Sequence, residues 1–157
     1  MIEMELTGVR VELPTNQPIV LLRERGGERY LPIWIGAAEA AAIALCLQGV
    51  VTPRPMTHDL MKSILEDLAV QVQRITVTEL RESTFFATIE LNHGGASYEI
   101  SSRPSDAIAL AVRTSTPIFA SEEVLEEAAI LIPGDEDEEV EKFREFLDNV
   151  TPEDFAP

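Results

Sequence analysis

Two glycine pairs do most to limit the folds open to this chain. Gly26-Gly27 separates the apolar run 18–25 from the run 29–35, and Gly94-Gly95 separates 84–92 from 96–101. Residues 84–92 alternate with period two: Phe85, Ala87, Ile89 and Leu91 share one face, and Phe86, Thr88 and Glu90 the other. Alternating runs broken by a short glycine turn are the signature of antiparallel hairpins. Residues 2–13 and 70–80 also read as strands. In the first the apolar phase slips from Ile2, Met4 and Leu6 to Val9, Val11 and Leu13, with Gly8 at the slip, which predicts a β-bulge. Pro32, inside the run 29–35, has no N–H to give a ladder and predicts an edge or a bulge. Helical segments interrupt these hairpins without regular strand–helix–strand alternation. The expected class is therefore α+β: a mixed, largely antiparallel sheet packed against several helices.

The helix starts are marked in two different ways. Ala37–Gln48 is rich in Ala and Leu, begins after Gly36 and ends before Gly49, a residue suited to terminate a helix. The other two follow an Arg-Pro pair. Arg54-Pro55-Met56-Thr57-His58-Asp59 precedes an apolar pattern running to about Ala69, and Arg103-Pro104-Ser105-Asp106 precedes one running to about Thr114. Proline tolerates the first helical turn, a hydroxyl can cap a free N–H there, and an early aspartate complements the helix dipole. A short strand at 117–120 leads to a helix capped by Ser121. Pro133-Gly134 and the acids 135–139 read as a linker, and Val140, Phe143, Phe146, Leu147 and Val150 form the stripe of a final amphipathic helix. The expected organisation is a domain over 1–132 followed by a linker and helix over 133–157.

Charge is unevenly spread. The net charge of the 157 residues is −16, but residues 121–157 hold 14 acids against Lys142 and Arg144. The first 120 residues are only mildly acidic, and nine of their ten bases are arginine. That balance excludes a broad basic groove for long duplex and still permits a local phosphate site. No apolar run approaches the roughly 18 residues of a membrane helix, and Met1-Ile2-Glu3-Met4-Glu5 lacks a basic leader region. The single cysteine, Cys46, excludes an internal disulfide and reads as a small buried thiol in a helix. A soluble, cytoplasmic protein is expected.

The residues able to do chemistry are few. A helix N-terminus beside a guanidinium is an anion site in the making, so Arg54 and Arg103 are candidates to hold a phosphate, with Thr57 and Ser105 beside them. His58 sits in a first turn with Asp59, placed for general acid–base work; it serves equally well as a local hydrogen-bonding partner in a capped helix. Arg103 can clamp a phosphate or pair with Glu99 or Asp106. Asp106 and Glu39 are candidate ligands for a divalent ion such as Mg2+, and equally ordinary first-turn acids. His93 falls in a glycine turn and is expected to be solvent-exposed. No Walker loop, GxSxG or GxGxxG is present, and no organic cofactor is expected.

Several blocks together resemble the bifunctional nuclease domain family: Pro32-Ile33-Trp34-Ile35-Gly36-Ala37-Ala38-Glu39-Ala40, Arg54-Pro55-Met56-Thr57-His58-Asp59-Leu60, Thr84-Phe85-Phe86-Ala87 and Arg103-Pro104-Ser105-Asp106-Ala107-Ile108-Ala109-Leu110-Ala111. The endings Phe143-Arg144-Glu145-Phe146-Leu147 and Thr151-Pro152-Glu153-Asp154-Phe155 are similar to those of bacterial members. The resemblance implies an α+β domain, commonly a homo-oligomer with a dimer favoured, that acts on DNA or RNA. Glu39, Arg54, Thr57, His58, Asp59, Arg103, Ser105 and Asp106 fall on its blocks. Ser101 stands where members often have an acid two residues before the motif arginine. Two readings follow: a nuclease, or a non-catalytic regulatory module that binds an anion or nucleotide.

Overall fold

A computed structural model describes residues 1–12 and 17–131. The linker and amphipathic helix expected over 133–157 lie outside these residues. The described chain runs β1 (Ile2–Glu12), β2 (Gln17–Glu24), β3 (Arg29–Trp34), α1 (Ala37–Leu47), α2 (Thr57–Asp67), β4 (Val70–Arg81), β5 (Thr84–His93), β6 (Ala96–Ser102), α3 (Pro104–Thr114), β7 (Ile118–Ala120), α4 (Glu122–Ala128) and β8 (Ile130–Leu131). The strands form one sheet in the order β6-β5-β4-β7-β1-β2-β3-β8. Only β4 and β7 pair in parallel, so the sheet is mixed and mostly antiparallel, and the class is α+β as the hairpin pattern predicts.

Each glycine pair turns a hairpin. Gly94-Gly95 lies between the paired residues His93 and Ala96, and His93 is exposed. The bulge in β1 falls between Leu6 and Gly8, where the register against β2 shifts. Pro32 pairs with Leu21 on one side, while β8 covers only Arg29 and Tyr30 on the other, so the proline sits on open edge. The β4–β5 turn is less expected. Arg81 and Thr84 flank Glu82 and Ser83, both at positive φ (51° and 62°), a two-residue turn made without glycine.

The architecture holds two similar units. The meander β1-β2-β3 ends in α1, and the meander β4-β5-β6 ends in α3. The true counterpart of α3 is thus α1; α2, which shares the Arg-Pro motif, is an inserted helix. Helix α3 is buried almost all round, with Ala107 to Ala111 at most 1% exposed. It packs on β4 and β5 with α1 and α2 on its flanks. The alanines of α3 and α1 let the two helices approach closely, and Ile43, Ile108 and Leu110 lie in the same buried core. Gly49 closes α1 in a left-handed conformation (φ 72°): its N–H reaches the Cys46 carbonyl and that of Val50 the Leu45 carbonyl, each at 3.0 Å. Cys46 is only half-buried, turned toward the Val112 carbonyl at 3.6 Å.

Ser121 caps α4 as its position predicts. Its hydroxyl accepts the Val124 N–H at 3.2 Å and donates to the Thr78 carbonyl of β4 at 3.0 Å. One side chain therefore serves a helix start and a helix–sheet junction. Ser121→Ala should lower the unfolding free energy by about 1–2 kcal/mol, read as a shift of the urea midpoint at unchanged slope.

Candidate active site

The two Arg-Pro segments start their helices differently. In α3 the N-cap is Arg103 and Pro104 is the first helical residue. In α2 the N-cap is Met56, so Pro55 lies one residue outside and Arg54 two. Thr57 and Ser105 stand inside the helices as first and second residues, so neither is the N-cap, and neither N-cap side chain makes a capping bond. The acids three residues after each N-cap do the local work. Oδ2 of Asp59 accepts the Met56 N–H at 3.1 Å. Glu39 folds back over Gly36, the N-cap of α1, so closely that a Cβ there would collide with its carboxylate.

Packing α1, α2 and α3 side by side gathers these first turns. Nε2 of His58 lies 2.9 Å from Oδ1 of Asp106. Nε and Nη2 of Arg103 each lie 2.9 Å from Oδ2 of the same carboxylate, and Nη1 lies 3.4 Å from Oε1 of Glu39. The result is a line of four groups, His58–Asp106–Arg103–Glu39, drawn from three helices. His58 is buried, with a side chain 7% exposed, whereas that of Arg103 is 65% exposed. The line thus runs from an interior imidazole to a surface guanidinium.

The electrostatics keep the Asp106 carboxyl ionised. Burial by itself would raise the Asp106 pKa; the bonds from His58 and Arg103 and the charge of Arg103 outweigh it and hold the carboxyl below the usual aspartate range. Bonding to Asp106 raises the pKa of Arg103 in turn. Asp106 is an ionised acceptor, so Nε2 of His58 is the donor in the bond between them.

The remaining candidates are placed differently. Asp59 faces Arg113, whose Nε donates to Oδ1 at 2.6 Å; that bond holds the Asp59 carboxyl low against the opposing effect of burial. Arg54 is exposed in the bend before α2 and makes no ion pair among the described residues; its carbonyl accepts the Thr52 hydroxyl at 2.5 Å. Thr57 is exposed and Ser105 buried. Ser101 sits on β6 opposite Thr88, outside the contacts of the four-group line. Arg103 pairs with Asp106 as one sequence reading has it, and with Glu39 where that reading names Glu99. Two important residues carry little signal in the sequence. Arg113 is an ordinary last-turn base, yet its side chain is only 6% exposed and bonds across two other helices. Trp34 ends a strand, yet is 52% exposed.

Comparison with known proteins settles the kinship. The bifunctional nuclease domain matches residues 20–133. The chain belongs to the bifunctional nuclease domain family. The matched stretch contains every residue of the four-group line. An uncharacterized protein of Mycobacterium tuberculosis is 48% identical over 162 residues, covering 98% of this chain and 97% of its own. The protein named bifunctional nuclease 1 in Arabidopsis thaliana is 31% identical over 112 residues, and that of Oryza sativa subsp. japonica 28% over 106. These alignments cover 68% and 66% of this chain but only 34% and 32% of the plant proteins, so the matched stretch spans about a third of their length.

Two carboxyls at this domain's helix starts, Asp59 and Asp106, are held below the ordinary value of about 3.9. The unfolded chain therefore takes up protons first as the pH falls. Their contribution to stability is complete above that ordinary value and is lost as the pH drops through the depressed folded values. Urea midpoints measured from pH 6 down to pH 2 should fall in that lower window, and Asp106→Asn should flatten the fall.

Proposed function

We propose that the chain hydrolyses phosphodiester bonds in DNA or RNA at the first turns of α2 and α3. The observation that carries this reading is Arg103: a guanidinium two-thirds exposed, held in place by Asp106 and Glu39, with an ordered histidine behind the first of these. Family membership supplies the context. In hydrolysis water adds to phosphorus, a P–O ester bond breaks, and the leaving alkoxide takes a proton. Arg103 would bind the phosphate and offset the charge that grows on its oxygens. His58, with Asp106 fixing its tautomer, would accept or return the proton through Nδ1. Arg54, Thr57 and Ser105 would contact flanking phosphates, and Asp59 would hold the α2 start in position.

A divalent ion such as Mg2+ on Glu39 and Asp106 belongs to the proposal only with Arg103 turned away, because both carboxylates already face its guanidinium. Among the described residues no three His, Cys, Asp or Glu side chains gather as ligands. No step above passes through a metal.

Cleavage of single-stranded RNA and DNA, with Mg2+, Mn2+ or chelator, tests the site. Arg103→Ala and His58→Ala should each lower the rate by about a hundredfold or more. Undiminished cleavage by both folded variants would remove the site from the chemistry. The burial of His58 favours a second reading, a nucleotide-binding module without catalysis; that reading wins if nucleotides raise the melting temperature and no condition yields cleavage.

The proposal includes a homodimer. Leu60, Ile64 and Leu68 line the outer side of α2 and its end, and Tyr98 and Ile100 lie on the edge strand β6; all five are about half-exposed. An apolar face of this kind beside an edge unpaired among the described residues suits a second copy related by twofold symmetry. Light scattering should give twice the chain mass, and Ile64→Glu with Ile100→Glu should give a folded monomer.

A further inference from the structure

A cleft of about 350 Å³ opens beside Arg103, between the end of β3, the β4–β5 turn and the start of α3. Its lining includes exposed Trp34, half-buried Phe85, Gly36 and Ser83 at the tip of its turn. Among the described residues, Arg103 is the single charged residue in the lining. Its acidic partners Asp106 and Glu39 are not among the lining residues, but they lie 2.9 and 3.4 Å from its guanidinium and offset part of its charge. The volume lies at the small end of the range for ligand sites, about 300–1,000 Å³.

Two features of this cleft suit a ligand. Trp34 ends a strand whose neighbours Ile33 and Ile35 are buried, yet it leaves half its surface in water. The turn that supplies Ser83 keeps two side chains at positive φ where glycine would relieve strain. An exposed indole next to an arginine fits a ligand with a flat apolar face and one adjacent negative charge. A nucleotide unit of a single strand has both: a base to stack and a phosphate to bind.

We infer that Trp34 is a stacking platform for one unpaired base, and that Arg103 binds the phosphate joined to that nucleotide. The inference rests on the nuclease reading and deepens it by naming the substrate class: single-stranded nucleic acid, or a base that can leave its duplex. A paired base cannot offer its face to Trp34 without unstacking. The phosphate held by Arg103 adds about −0.7 to the log–log salt slope of single-strand binding. Trp34 is a positioning residue for the strand and does not touch the reacting atoms.

Trp34 is the only tryptophan in the chain, so its fluorescence reports on the cleft directly. The probes are a phosphorothioate tetrathymidylate, an abasic tetranucleotide with the same number of phosphates, and a blunt duplex. The tetrathymidylate should quench the emission and the other two should not. In a cleavage assay on single-stranded DNA, Trp34→Ala should raise KM about tenfold, the order of one base–aromatic stack, with kcat little changed, and Trp34→Phe should recover part of the loss. Equal quenching by the abasic strand, or an unchanged KM in Trp34→Ala, overturns the subsite while leaving the nuclease reading intact. Quenching by tetrathymidylate without cleavage of any substrate overturns the nuclease reading and leaves the subsite standing.

Discussion

Arg113 holds the helical layer together, and the arrangement of the site depends on it. Its guanidinium lies where α1, α2 and α3 meet, donating to the Ala42 carbonyl of α1 at 2.8 Å, to Asp59 of α2 at 2.6 Å and to the Ala109 carbonyl of its own helix at 2.8 Å. A buried guanidinium without partners costs several kcal/mol. The three helices must therefore pack so that all three acceptors reach it. That condition sets α2 against α3 at its first turn, and His58, next to Asp59, is carried to Asp106. The alanines of α1 and α3 make the close approach possible, and the arginine selects one alignment among those that alanine surfaces would allow.

The same acid position recurs in three helices with three results. Glu39, Asp59 and Asp106 each stand three residues after an N-cap. Helix dipole and free N–H groups favour an acid there in any helix. Packing then gives each its partner: Arg103 for Glu39, Arg113 for Asp59, and both His58 and Arg103 for Asp106. Position in the helix explains why an acid is present. Tertiary contact explains why Asp106 joins an imidazole to an exposed arginine while Asp59 is spent on the fold.

Net charge is a poor guide to what such a surface can bind. The chain carries −16 overall, yet the lining of the cleft beside Arg103 has one positive charge and two aromatic rings. Fields from distant exposed acids are screened within about 10 Å at moderate salt, so the groups nearest the cleft, Arg103 and the two carboxylates it faces, decide recognition. A ligand that binds by stacking and a single phosphate tolerates an acidic protein far better than one that needs a long basic track.

Much of the fold was legible in the chain itself. Period-two alternation and the glycine pairs identified the hairpins, Gly8 marked the bulge, Gly49 the end of α1 and Ser121 the start of α4, because each depends on local sterics or on a bond to a neighbouring residue. The Glu82-Ser83 turn was not legible, since neither residue type signals positive φ. The candidate site was legible as residues but not as a site. His58, Arg103, Asp106 and Glu39 could be named from helix-start chemistry, while their order along one line could not. The repeated Arg-Pro motif suggested equivalent arginines; Arg103 is the N-cap of a buried helix, and Arg54 lies two residues outside an inserted one. Local sequence determined which groups stand at helix starts. Only the packing of three helices around Arg113, a contact between residues up to 71 positions apart, decided which of those groups meet.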